Sequence, residues 1–134
     1  MYKKIQIESK TGSLRIVENV IDEVMKNIGI SQENYGKILV ATLEAVNNAI
    51  THGNNSNPDK SVDIEIVFEN SKVNIKVSDE GIGFRPDQVP DPTISNNIEA
   101  LNGRGVFLMS KLADEINYST KGNAVTMVFK NIIG

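Results

Sequence analysis

Glu44 and Asn48 stand four residues apart, a spacing that puts two side chains on the same side of a helix, one turn apart. A carboxylate can take a proton from a hydroxyl or polarise it. A neighbouring amide oxygen can ligate Mg²⁺, which prefers oxygen and draws most of its ligands from phosphates and water. A second group is Asp79-Glu80-Gly81-Ile82-Gly83. Glycines let a ligand approach the backbone closely. An aspartate beside them can accept a hydrogen bond from an exocyclic amine such as that of adenine. A third group is Gly103-Arg104-Gly105, just ahead of the apolar run Val106, Leu108, Met109, Leu112. Free N–H groups at a helix start attract phosphate, and an arginine adds a charge-assisted contact.

Each group also has a plain reading. A Glu-x-x-x-Asn pair suits a solvated helix face, and with 10 Glu and 16 Asn in 134 residues about one such pair arises by chance. Asp and Gly are ordinary turn residues. Gly103-x-Gly105 suits a loop end. The run is neither a P-loop nor a Rossmann fingerprint, because the required glycine spacings are absent.

The elements that must carry these groups follow from periodicity. Ile5 and Ile7 alternate with polar neighbours, the period of a short edge strand. Leu14, Val17, Val20, Ile21, Val24 and Ile28 recur at three and four, the period of a helix face, and Gly29 suits its left-handed end. Ser31 is placed to cap a second helix over about Gln32 to His52. On that helix Glu44, Asn47, Asn48, Thr51 and His52 share one arc, and asparagine is a poor helix former, so the arc reads as having a task. Val62, Ile64, Ile66, Phe68 and then Val73, Ile75, Val77 predict two strands joined at Glu69-Asn70-Ser71. A hairpin closes the chain, Glu115 to Ser119 and Ala124 to Lys130, with its turn at Lys121-Gly122-Asn123. The 19 residues Phe84 to Asn102 hold three of the four prolines, and a loop of that length in a small domain reads as a lid or binding loop. The order predicts an α/β (α+β) two-layer sandwich, helices on one face of a mixed, mainly antiparallel sheet. One domain, 1–134, is expected.

Composition narrows the field. There is no cysteine, one histidine and no tryptophan, and the net charge is −3. Disulfides, thiol catalysis and Cys-based metal sites are excluded. A basic surface for nucleic acid is not expected. No apolar run reaches the roughly 18 residues of a membrane helix, and Met1 to Ile7 does not read as a signal peptide, so a cytoplasmic protein without membrane contact is expected.

Taken together and in order, the three groups resemble the GHKL ATPases, whose domain is the Bergerat, histidine-kinase-like sandwich. Leu43-Glu44-Ala45-Val46-Asn47-Asn48-Ala49-Ile50-Thr51-His52-Gly53 with Asp79-Glu80-Gly81-Ile82-Gly83-Phe84 is similar to the stand-alone serine/threonine kinases that act as bacterial anti-sigma factors. Their phrase runs close to Glu-Ala-x-x-Asn-Ala-x-x-His. The resemblance implies ATP or ADP with Mg²⁺ as ligands. It implies Glu44 as general base and Asn48 as the Mg²⁺ ligand, with His52 near the phosphates. It implies Asp79 on the adenine amine, Gly81 and Gly83 lining the pocket, and Gly103, Arg104 and Gly105 at the phosphate end of a lid over about 84–102. The implied partners are a STAS-type anti-sigma antagonist, a sigma factor and a second copy in a homodimer. Arg15 falls where such proteins can contact a partner. One departure stands out: residues 84–102 hold no lysine and a single arginine, Arg85, beside Asp87, Asp91 and Glu99. The alternative is an ATP-binding module that sequesters a partner without significant kinase activity.

Overall fold

The computed structural model describes residues 1–81 and 109–133. The lid stretch 84–102, Gly83, Gly103, Arg104 and Gly105 lie outside the described residues. Five strands are described: β1 (Tyr2–Glu8), β2 (Ser61–Glu69), β3 (Lys72–Ser78), β4 (Glu115–Tyr118) and β5 (Ala124–Phe129). They form one sheet in the order β1-β2-β3-β5-β4. All four pairings among the described residues are antiparallel, in line with the mainly antiparallel sheet expected from sequence. The reason lies in the connections: β2/β3 and β4/β5 are tight hairpins, and antiparallel neighbours are what tight turns produce. The β1 strand is an edge, as its short alternating pattern implied.

Two helices, α1 (Leu14–Ile28) and α2 (Gln32–Asn48), lie between β1 and β2 in the chain. Gly29, at φ 69°, ends α1 in the left-handed region, where glycine pays no Cβ penalty. The Ser31 side chain accepts a hydrogen bond from the Asn34 N–H at 3.3 Å, a cap whose loss costs about 1 kcal/mol. The Tyr35 hydroxyl donates to Asp22 Oδ1 at 3.0 Å and ties α2 to α1.

The core lies between the helices and one face of the sheet. Val17, Ile21, Ile38, Val46, Val62, Ile64, Ile66, Val73, Ile75 and Met127 are all fully buried. Each buried aliphatic side chain stabilises the layer contact by about 1.5–3 kcal/mol. The other sheet face is polar near its edge, where Gln6 donates to Asp63 at 2.9 Å and Lys4 pairs with Glu65 at 3.8 Å. Residues 109–112 are helical, and Met109 reaches the core. Among the described residues no helix is long and apolar enough to cross a membrane.

The second helix does not run as one α-helix to His52. It changes at Ala49 to a π-turn, Ala49–Gly53. The Asn54 N–H bonds back to Ala49 O at 2.8 Å, and Ser56 N–H to Ile50 O at 2.7 Å. Widening the turn keeps Ala49 and Ile50 both buried while the following backbone swings toward the end of β3. Single π-turns of this kind gather at functional sites. Asn55 and Ser56, both at positive φ, then reverse the chain.

Candidate functional site

The site is built where the end of α2 meets the loop that follows β3. Asp79 is the first residue after that strand. Its N–H donates to Asn123 O at 2.9 Å, and its own carbonyl accepts from Asn123 Nδ2 at 3.3 Å. The hairpin turn between β4 and β5 therefore fixes the Asp79 backbone from one side. On the other side stands the π-turn. A Cβ placed on Gly53 would overlap the Asp79 carboxylate, and one placed on Gly81 would overlap the Gly53 carbonyl. Only glycines allow backbone to lie this close.

The carboxylate is half-buried and its two oxygens differ. Oδ1 accepts the Gly81 N–H at 2.7 Å, the usual aspartate turn. No hydrogen bond reaches Oδ2 among the described residues. Burial pushes the Asp79 carboxyl above the ordinary aspartate value, while the Gly81 N–H and the charges of Lys121 and Lys60 pull the other way. A carboxylate that has lost water without gaining a full set of donors favours a ligand that brings one. An exocyclic amine fits that need.

Glu44 and Asn48 both lie on α2, half-buried, with Ala45 and Val46 beside them in the core. Glu44 accepts no hydrogen bond among the described residues. The amide nitrogen of Asn48 is buried and has no partner there either, an uncommon condition that asks for an explanation. Thr51 is spoken for, its hydroxyl donating to Asn47 O at 2.8 Å. His52 is exposed on the π-turn. Glu44, Asn48 and His52 thus rise along one element toward Gly53, and Gly53 touches Asp79 and Gly81. The structure brings five of the nine residues singled out from sequence into one continuous arrangement; Gly83, Gly103, Arg104 and Gly105 lie outside the described residues.

A Mg²⁺ ion fits this donor set. The atom that could ligate it is the Asn48 amide oxygen, which accepts no hydrogen bond among the described residues; the unpartnered amide nitrogen is a donor and takes no part in metal binding. No group of three or more His, Asp or Glu side chains that could hold a metal by itself occurs among the described residues. Mg²⁺ is commonly held by one or two protein ligands, with phosphate and water completing its shell.

Sequence reading passed over Asn54. It is fully buried and connects four segments by side-chain hydrogen bonds. One of three asparagines within residues 54–57, it reads by type as a turn residue. The available signal was positional, since backbone groups freed at a helix end need partners when that end is buried.

Comparisons with known proteins bear on the family and the fold. The model of the histidine kinase-like ATPase domain matches residues 7–129. An anti-sigma F factor of Geobacillus thermodenitrificans is 34% identical over 95 residues, which are 69% of this chain and 65% of that protein. The serine-protein kinase RsbW of Oceanobacillus iheyensis is 23% identical over 137 residues, covering 98% of this chain and 87% of that protein. In fold, the chain is similar to a crystal structure of RsbU and RsbW domains from Mycobacterium tuberculosis, with a TM-score of 0.68 at 14% identity, over 97% of this chain and 32% of that one. The match spans 65% of the length of the first anti-sigma F factors.

Proposed function

The chain belongs to the histidine kinase-like ATPase family, and from that premise we propose that it is an ATP-dependent protein serine/threonine kinase of the anti-sigma type. Its substrate would be a serine or threonine hydroxyl on a STAS-type antagonist, and its other partner a sigma factor. The observation that carries this reading is the Asp79 carboxylate held against Gly53, one oxygen committed to Gly81 and the other without a hydrogen bond among the described residues. In this reading it accepts the adenine amine, beside the turn that follows the helix bearing Glu44 and Asn48. Relatives named anti-sigma F factor and serine-protein kinase support the activity.

In this reading Asp79 selects adenine and orients the nucleotide along the α2 end. Gly81 and Gly83 let the ring approach. Asn48 would hold Mg²⁺, which neutralises phosphate charge when bound. Glu44 accepts the proton of the attacking hydroxyl. The serine oxygen forms its bond to the γ-phosphorus, the bond from that phosphorus to the bridging oxygen breaks, and ADP leaves with the electron pair. His52, Gly103, Arg104 and Gly105 would lie at the phosphate end. The work is mostly positioning and charge neutralisation.

A second reading, a nucleotide-binding module that sequesters a partner without significant transfer, is favoured by one observation: residues 84–102 contain no lysine. Incubation with labelled ATP, Mg²⁺ and a STAS-domain protein decides between them. Label on the partner's serine or threonine supports the kinase. Tight binding of the partner with no transfer supports the module.

A further inference from the structure

Asn54 is fully buried, and every polar atom of its side chain is used. Nδ2 donates to Ser9 Oγ at 2.8 Å and to Ser61 O at 2.9 Å. Oδ1 accepts the Glu80 N–H at 2.8 Å. Two of these partners are backbone groups of fixed sense, a carbonyl and an N–H, so the orientation of the amide is determined by its surroundings. Its own backbone N–H closes the π-turn on Ala49 O.

The four segments it joins are the end of β1, the start of β2, the π-turn and the loop carrying Asp79 and Gly81. The surrounding bonds brace the same junction. Ser9 Oγ donates to Lys60 O at 2.8 Å, and the Glu80 carboxylate accepts from Ser61 N at 2.5 Å and from Ser61 Oγ at 3.2 Å. Within this junction, Asn54 is the side chain that bonds directly to the loop backbone from the helix end. No other residue type reproduces it. Aspartate cannot donate, leucine can do neither, serine is too short and glutamine is longer by a methylene.

We propose that Asn54 is a positioning residue for the nucleotide site: its amide sets the distance between the Glu44–Asn48 helix and the Asp79 loop, and so the alignment of adenine with phosphates. The proposal rests on the nucleotide reading of the site given above. A satisfied core asparagine with no such role would affect folding alone.

The two are separated by ADP calorimetry on folded protein, well below each melting temperature. Asn54→Ala removes all three side-chain hydrogen bonds, of which the one to the Glu80 N–H fixes the loop, and losing that one is expected to weaken ADP about ten-fold. In an Asp79→Asn background the same change is expected to alter ADP affinity by less than about two-fold, because the loop it positions no longer carries the adenine acceptor. Unchanged ADP affinity in folded Asn54→Ala overturns the proposal, as does an equal loss in both backgrounds. Amide hydrogen exchange on the wild type needs no variant. The Glu80 N–H is expected to exchange about a hundred-fold slower than an open loop amide, and an unprotected Glu80 overturns the tether even if Asn54→Ala does not fold. Wild-type protein that binds no ADP removes the nucleotide reading and this role with it; wild-type binding that ignores Asn54 removes this role alone.

Discussion

Gly53 and Asp79 are in direct contact, backbone against carboxylate, with no room for a β-carbon between them. The contact joins an element chosen by helix periodicity to one chosen by strand alternation, 26 residues further along the chain. It also explains why the helix widens into a π-turn before Gly53. A continuing α-helix would carry that residue elsewhere, and the Asp79 carboxylate would lose its wall.

A side chain at Gly53 must therefore move Asp79. Gly53→Ala is expected to destabilise the fold by about 1–3 kcal/mol, the range for forced overpacking, and to weaken adenine nucleotides more than this loss of stability explains. Calorimetry with ADP on the folded variant checks it. An Asp79 free to shift at no expense would leave ADP affinity untouched and refute the wall.

Gly36 makes the opposite case. It lies inside α2, and a Cβ there would meet nothing within 4 Å. Gly36→Ala is expected to stabilise the protein by about 0.5–1 kcal/mol, since alanine loses less backbone entropy in a helix. Denaturant unfolding should give a higher midpoint at unchanged slope, with ADP affinity as in the wild type.

Burial raises the Asp79 carboxyl above its ordinary value, about 3.9 in a free peptide. The sign of the consequence is fixed by linkage. Below the ordinary value the group is protonated in both states and contributes no penalty. As pH rises to and through the raised folded value, the unfolded chain loses its proton first, and stability falls. Asp79→Asn does not titrate. Its advantage in melting temperature over the wild type is expected to be absent near pH 3.5, to grow above about pH 4 and to level off toward neutrality. A lead for the wild type at pH 7 that fades on acidification would mean the Gly81 N–H and the two lysines outweigh burial.

Much of this arrangement is legible in the sequence because it rests on periodicity. The apolar spacing from Leu14 to Ile28, the Ser31 cap, and the Val62–Phe68 and Val73–Val77 alternations correspond to the observed elements. Glu44 and Asn48 share a helix side by arithmetic alone. What stayed hidden depends on contacts between distant segments. The π-turn follows from Ala49 and Ile50 packing in the core while Gly53 meets Asp79, and no local propensity encodes that. The importance of Asn54 follows from Ser9, Ser61 and Glu80 converging on it, residues with separations up to 45 along the chain.

If the proposed roles hold, Glu44 and Asn48 separate transfer from binding. A general base acts on the proton moved in the transition state, so its removal lowers turnover and leaves ground-state affinity nearly intact. Glu44→Gln is expected to keep ATP affinity within a few-fold and to cut phosphotransfer to the proposed STAS-type partner by on the order of 10²-fold or more. Asn48→Ala is expected to lose the Mg²⁺-dependent part of ATP affinity, because its role is used before any bond changes. It also removes a buried amide nitrogen that lacks a partner among the described residues and replaces a poor helix former with the best one. The ligand-free variant should therefore be no less stable than the wild type, by about 0.5 kcal/mol or more in its favour. Melting curves with and without ADP and Mg²⁺ read both effects at once: a large nucleotide shift for the wild type and Glu44→Gln, and a small shift from a higher start for Asn48→Ala. A lower ligand-free melting temperature for Asn48→Ala would mean the amide serves the fold rather than the ligand.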